Sequence, residues 1–136
     1  MNSASDILRR NGKSFHFASL VLDTRQAERC ASLYSFCRYV DDLADEADDE
    51  EDASRRLHGL IDDLHARQSE DPVVADFLDL ATECHMSTEP AIDLTHGVLQ
   101  DLEREVLIHD VAELHHYCYR VAGTVGLLMC LSLIHI

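Results

Sequence analysis

Hydrophobic residues recur along this chain with the three- to four-residue spacing of amphipathic helices, and strand-like alternation is missing. In the clearest case, the large apolar side chains of residues 54–68 share one helical face. The pattern predicts a short helix at 14–22 and longer helices at 24–47, 54–68, 72–85, 89–107 and from 111 onward. We therefore expect an all-α fold of about six helices joined by short loops.

Capping signals mark several of these helix starts. An N-cap side chain accepts a hydrogen bond from a backbone N–H two or three residues later, and proline suits the first helical turn. The signals are Asp23 with Gln26, Asp71 before Pro72, Thr88 or Ser87 before Pro90, and Asp110 with Glu113. Residues 48–52 are predicted to be a charged connection between two helices.

Composition narrows the class of protein. With 136 residues, of which 46% are hydrophobic, the chain is predicted to form one globular domain over 1–136. The net charge of −15 argues against nucleic-acid binding and suits metal cations or an acidic surface. The five cysteines form no CxxC pair, and the start carries no secretory apolar core, which predicts reduced thiols and a cytoplasmic location. The apolar end, 121–136, is short for a membrane span and predicts a buried helix.

An acidic block follows the apolar run LYSFCRYV, and its first carboxylates lie on the same helical face as part of that run. On a helical wheel, Tyr34, Arg38, Asp41 and Asp45 fall within about 60° of one another. Two carboxylates one turn apart repel, and a divalent cation between them reverses the sign of that interaction. From the residues alone, a metal site at Asp41 and Asp45 and a solvated helix end are equally open. Residues 46–52 favour the solvated interpretation.

Four segments, in this order, resemble the amino-terminal part of the squalene/phytoene synthase family, and among its members the bacterial phytoene synthases. They are GKSF (12–15), LYSFCRYVDDLADE (33–46), HGVLQDL (96–102) and YCYRVAGTVGLLM (117–129). The last is the most specific string, and the second resembles the family's first aspartate-rich motif. Val98 stands where the family usually has Met, which is a mild departure.

The resemblance implies an isoprenoid synthase fold and a head-to-head condensation of two prenyl diphosphates with Mg²⁺, or Mn²⁺ in its place. For phytoene synthase the substrate is geranylgeranyl diphosphate, and phytoene forms through a cyclopropyl diphosphate. Peripheral contact with a membrane is compatible with such a hydrocarbon product. A squalene or hydroxysqualene synthase that uses farnesyl diphosphate is the first alternative. A non-catalytic helical binding module is the second.

The resemblance also implies roles for individual residues. Asp41, Asp45 and Tyr117 would be catalytic residues. The two aspartates would hold Mg²⁺, and Tyr117 would line the site near the diphosphate. The diphosphate would be bound by Lys13, Ser14, Tyr34 and Arg38, and the prenyl channel would be lined by Phe15, Val121, Val125 and Leu128. Asp101 would lie near the cavity, without an assigned step.

Each role has a structural alternative. Arg38 could form an ion pair within its helix with Asp42 or Asp41, and Ser14 could be a helix cap. The two tyrosines could be core residues, and the channel residues could serve tight helix packing. Gly123 and Gly126 would then mark close backbone contact, or else room for a bulky ligand.

The resemblance ends after Met129. The family's second aspartate-rich motif is not in this sequence, and residues 130–136, CLSLIHI, do not resemble the family's continuation. We therefore expect a truncated chain with a non-native tail over 130–136, and little or no synthase activity from this polypeptide alone.

Overall fold

Every regular element in the described residues is helical, which confirms the all-α prediction. The computed structural model describes residues 10, 12–13, 16–17, 20–102 and 109–134, apart from the side chains of 121 and 132–134. The helices are α1 (Thr24–Asp45), α2 (Glu50–Ala66), α3 (Pro72–Glu83), α4 (Glu89–Leu102), α5 (Val111–Cys118), a π turn (Tyr119–Gly123) and α6 (Thr124–Ile134). Of the predicted helix at 14–22, residues 14–15 and 18–19 lie outside the described residues, and residues 20–22 form a turn and a bend, so the predicted helical end there is wrong. The predicted end of α4 lies outside the described residues.

Three of the predicted caps form where the sequence places them, and before α4 the Ser87 hydroxyl accepts a hydrogen bond from the Glu89 N–H at 3.1 Å. Asp23 accepts a hydrogen bond from the Gln26 N–H at 2.8 Å. Asp71 accepts one from the Val73 N–H at 2.9 Å. At α5 the box is reciprocal. Asp110 accepts from the Glu113 N–H at 2.8 Å, and the Glu113 carboxylate accepts from the His109 N–H at 2.7 Å.

The charged connection predicted at 48–52 is wrong, because α2 begins at Glu50. Asp49 is its N-cap and accepts from the Asp52 N–H at 2.7 Å. Asp52 itself is buried and forms ion pairs with Arg55 and with Arg56, the latter at 3.1 Å. Carboxylates in a first helical turn are favoured by the helix dipole. The solvated interpretation of 46–52 therefore fails at Asp52.

The core lies around α1, which contacts α2, α3, α4 and α6. Leu33, Phe36 and Val40 of α1 are fully buried, as are Leu57 of α2 and Phe77 of α3. The rings of Phe36 and Phe77 stack with centroids 4.1 Å apart. Full burial of side chains this large supplies most of the hydrophobic stabilisation, at about 1.5–3 kcal/mol each.

The carboxyl-terminal arm, defined here as 111–134, follows the prediction of one final helix except at the π turn. There the Thr124 N–H donates to the carbonyl of Tyr119, five residues earlier. One side of α6 packs on α1 and α4, where Thr124 and Leu128 are fully buried. None of the described residues of α5 is buried, and Leu127 of α6 is 39% exposed. No helix among the described residues is long and apolar enough to cross a membrane.

Candidate functional site

A cleft of about 420 Å³ opens between α1 and α4. It is lined by Arg38, Asp41, Ala44 and Asp45 from α1, and by Val98, Asp101 and Leu102 from α4. Residues three and four apart share a helical face, so each helix turns its set of side chains toward the other. The cleft therefore unites the charged stripe of the acidic segment with the HGVLQDL segment.

The electrostatics of the cleft disfavour a further negative charge. Asp41 is exposed as a whole residue, but its carboxyl group lies in the cleft, and desolvation there raises its pKa. The charges of Asp45 and Asp42 raise it further, as does that of Asp101, while Arg38 acts in the opposite direction. A bound cation would relieve this repulsion.

Arg38 lies on the wall of this cleft and also makes an ion pair within its own helix. Its Nε lies 3.6 Å from Oδ1 of Asp42, and about half of the Arg38 side chain is exposed. An exposed pair of this kind contributes little stability, typically about 0–1 kcal/mol. The alternative interpretation of Arg38 is thus observed, and the guanidinium still borders the cleft.

Tyr117 connects the arm to the cleft. Its hydroxyl donates to Oδ1 of Asp101 at 2.7 Å. This hydrogen bond is the largest cause of the raised pKa of Tyr117, followed by desolvation. In the sequence, this contact is indicated only by the position of Asp101 on a largely apolar face of α4.

Tyr34 and Lys13 do not line the cleft as the described residues define it. Tyr34 is half-buried, and its ring lies against Gly12, where an added Cβ would be 2.9 Å from Cε2 and Cζ of the ring. Lys13 is exposed. Ser14 and Phe15 lie outside the described residues. Their diphosphate-binding and channel assignments stay predictions.

The proposed channel residues on the arm lie in different environments. Leu128 is fully buried and packs in the main core cluster, whereas Val125 is half-buried. The side chain of Val121 is outside the described residues. A Cβ on Gly126 would meet nothing within 4 Å, so that glycine does not serve close packing. The channel assignment stays a prediction.

Close backbone packing occurs instead at Gly97, in the HGVLQDL segment of α4. A Cβ there would lie 3.0 Å from the Arg120 Cβ and 3.2 Å from the Arg120 carbonyl carbon. Glycine thus lets the π turn approach α4 directly. The sequence pattern alone assigns no role to Gly97.

The cleft suits a cation that is shared with a ligand. Within the described parts of the chain, no group of three or more His, Cys, Asp or Glu side chains is placed to hold a metal ion. Mg²⁺ is usually held by one or two carboxylates together with substrate phosphates and water. Asp41 and Asp45 fit the protein's share of such a site.

Comparison with known proteins identifies the family of this chain. The family model described as squalene/phytoene synthase matches residues 8–135. The chain belongs to the squalene/phytoene synthase family. This family member matches a dehydrosqualene synthase structure, solved in complex with a ligand, with a TM-score of 0.77 and 31% identity over 95% of this chain and 45% of that one. The expected isoprenoid synthase fold is thereby confirmed.

Curated members of the family carry more than one name. A presqualene diphosphate synthase from Rhodopseudomonas palustris is 34% identical over 117 residues, which are 85% of this chain and 42% of the relative. A phytoene synthase from Rhodobacter capsulatus is 32% identical over 134 residues, 96% of this chain and 39% of the relative. This family member therefore spans less than half the length of these relatives.

Proposed function

We propose that this chain supplies the first Mg²⁺- and diphosphate-binding site of a head-to-head prenyltransferase, a phytoene synthase that acts on geranylgeranyl diphosphate. The observation that carries the proposal is the cleft in which Asp41, Asp45 and Arg38 lie together. Desolvation, followed by the charges of Asp45 and Asp42, raises the pKa of Asp41, and a bound cation would relieve the repulsion between these carboxylates. The family membership supports the same chemistry.

In this function Asp41 and Asp45 hold Mg²⁺, or Mn²⁺ in its place. The bound ion supplies Lewis-acid stabilisation of the diphosphate. Arg38 binds phosphate oxygens at the cleft wall, because its planar guanidinium can donate two parallel hydrogen bonds. Binding of the ligand would draw this side chain away from its weak ion pair with Asp42.

A second candidate is a synthase that uses the shorter farnesyl diphosphate. The names of similar proteins favour it as much as they favour phytoene synthase, because a presqualene diphosphate synthase and a dehydrosqualene synthase match at 34% and 31% identity. Competition between farnesyl and geranylgeranyl diphosphate for the chain separates the two candidates. Tighter binding of the longer diphosphate is expected under our proposal.

The decisive experiment is calorimetric titration of the chain with Mg²⁺ and inorganic diphosphate, and then with a non-reactive thiolo analogue of geranylgeranyl diphosphate. Asp41→Asn with Asp45→Asn is expected to weaken Mg²⁺-dependent binding by at least roughly 10- to 100-fold, the loss that removal of outer-shell partners alone causes at other metal sites. The matched control is Asp62→Asn with Asp76→Asn, which removes the same charge from exposed positions on α2 and α3.

The control variant is expected to bind like the unmutated chain. Equal weakening by both double variants would attribute binding to net charge alone and contradict the site. The chain alone is expected to form no phytoene from geranylgeranyl diphosphate and Mg²⁺, because the second aspartate-rich motif is not in its sequence. Phytoene in an extracted reaction mixture would overturn that expectation.

A further inference from the structure

Polar side chains from the arm meet one stripe of α4. Tyr119 Oη donates to Asp93 Oδ2 at 3.1 Å, Arg120 Nη1 donates to Gln100 Oε1 at 3.0 Å, and Tyr117 Oη donates to Asp101 Oδ1 at 2.7 Å. Of these three acceptors, only Asp101 lines the cleft, as far as the described residues define it. One carboxylate thus connects the arm with the candidate site.

The contact between Tyr117 and Asp101 is a hydrogen bond from a hydroxyl to a carboxylate, and its length of 2.7 Å is typical of hydroxyl donors. The same carboxylate contributes to the negative charge around Asp41. Asp101 therefore interacts with two partners: it accepts a hydrogen bond from Tyr117 of the arm, and its charge acts on Asp41 of α1. We propose that Asp101 is a positioning residue that fixes the hydroxyl of Tyr117 at the edge of the cleft lined by Asp41 and Asp45.

The purpose of this arrangement rests on the proposed function. A phenol oxygen can donate one hydrogen bond and accept others. With its proton engaged by Asp101, the oxygen of Tyr117 keeps its lone pairs for a second partner. Under the proposed function, the pair places a neutral oxygen acceptor of fixed position beside the bound prenyl diphosphate.

Ultraviolet titration of the tyrosines tests the pair without any ligand. The chain has four tyrosines and no tryptophan, so tyrosinate absorbance is a clean signal. In Asp101→Asn, one tyrosine is expected to ionise at lower pH than in the unmutated chain. That difference is expected to vanish in a Tyr117→Phe background. Asparagine keeps the size and an acceptor oxygen, so a merely steric role would leave the titration unchanged.

Asp101→Glu restores a carboxylate and is expected to return the ionisation toward that of the unmutated chain. The matched control is Asp93→Asn, which removes the acceptor of Tyr119 on the same helix but outside the cleft. Its effect is expected to persist in the Tyr117→Phe background. A titration of Asp101→Asn identical to that of the unmutated chain, with circular dichroism showing equal helix content, would overturn the proposal.

A second measurement separates this proposal from the proposed function. Mg²⁺ with inorganic diphosphate is added while tyrosine difference absorbance is recorded. The spectral change is expected to be lost in Tyr117→Phe and reduced in Asp101→Asn. Calorimetric binding with a spectrum unchanged in Tyr117→Phe would show that Tyr117 is not beside the ligand, and would overturn the positioning role. Absence of calorimetric binding would instead count against the proposed function, and the titration would still decide whether Asp101 holds Tyr117.

Discussion

The four-helix region α1–α4 and the carboxyl-terminal arm differ in how their apolar residues are used. In the first, side chains such as Phe36 and Phe77 are fully buried and stacked. In the arm, α5 has no buried residue among those described, and α6 buries one side only. The apolar sequence of the arm is therefore not matched by apolar burial.

This difference assigns stability and function to different places. Buried side chains of the core hold the helix that carries Asp41 and Asp45, so this wall of the cleft rests on well-packed apolar residues. The arm contributes Tyr117 through a polar contact on α4 rather than through buried apolar surface. We expect substitutions in the core to affect global unfolding, and substitutions on the exposed side of the arm to leave it almost unchanged.

Replacing Phe77 with Ala tests this division most strongly. The ring is fully buried against Phe36, so its removal is expected to lower the free energy of unfolding by about 3–5 kcal/mol. The paired variant Leu127→Ala on the exposed side of α6 is expected to change it by less than about 0.5 kcal/mol. Urea denaturation followed by circular dichroism measures both. Similar losses in the two variants would show that the arm is packed as tightly as the core.

Two glycines test the same comparison with smaller expected changes in the free energy of unfolding. A methyl group at Gly97 would press on the Arg120 backbone, so Gly97→Ala is expected to destabilise the chain by about 1–3 kcal/mol. Gly126→Ala meets no atom within 4 Å and is expected to stabilise α6 by about 0.5–1 kcal/mol, because alanine loses less backbone entropy in a helix. The same denaturation experiment measures both changes. A loss of stability in Gly126→Ala would mean that this side of α6 is covered in solution.

The smallest expected effect concerns the charged edge between α1 and α3. Glu83 pairs with Arg25 and Arg29, and their hydrogen bonds lower the pKa of Glu83 from 4.5 to about 2. A lowered carboxyl pKa stabilises the fold above the unfolded value and ceases to do so as the pH falls toward the folded value. Stability is therefore expected to fall between about pH 4.5 and pH 2. Glu83→Gln is expected to flatten that part of the profile; an unchanged slope would show that the ion pairs do not form in solution.

Local signals in the sequence were sufficient for most of the helices. The caps at Asp23, Asp71 and Asp110 depend on residues two or three positions apart, and each formed as predicted. The start of α2 was missed although its signals are local too, since Asp49 caps the helix and Asp52 pairs with Arg55 and Arg56 of the same helix. A run of carboxylates is also typical of a solvated connection, and the sequence pattern favours that interpretation for 48–52. The burial of Asp52, in contrast, depends on the tertiary structure.

The candidate site was predicted in the same uneven way. Asp41, Asp45 and Arg38 lie on one helix, so their spacing alone placed them together, and the structure lines one cleft with them. The hydrogen bond from Tyr117 to Asp101 joins residues that are sixteen positions apart and belong to different helices. The hydrophobic periodicity within either helix contains no information about this contact. Predictions of this second kind required the packing of α4 against the arm.

The π turn at Tyr119–Gly123 has a consequence for the insertion and deletion of residues in this chain. Its hydrogen bond spans five residues where an α turn spans four, so the turn holds one residue in excess. Deleting the exposed Ala122 is expected to leave an ordinary α turn, with Leu128 still directed into the core. The same deletion within α4 would rotate all that follows in that helix by about 100°. Among the described helices of the chain, the π turn is thus the place where one residue can be lost without changing which side of the following helix faces the core.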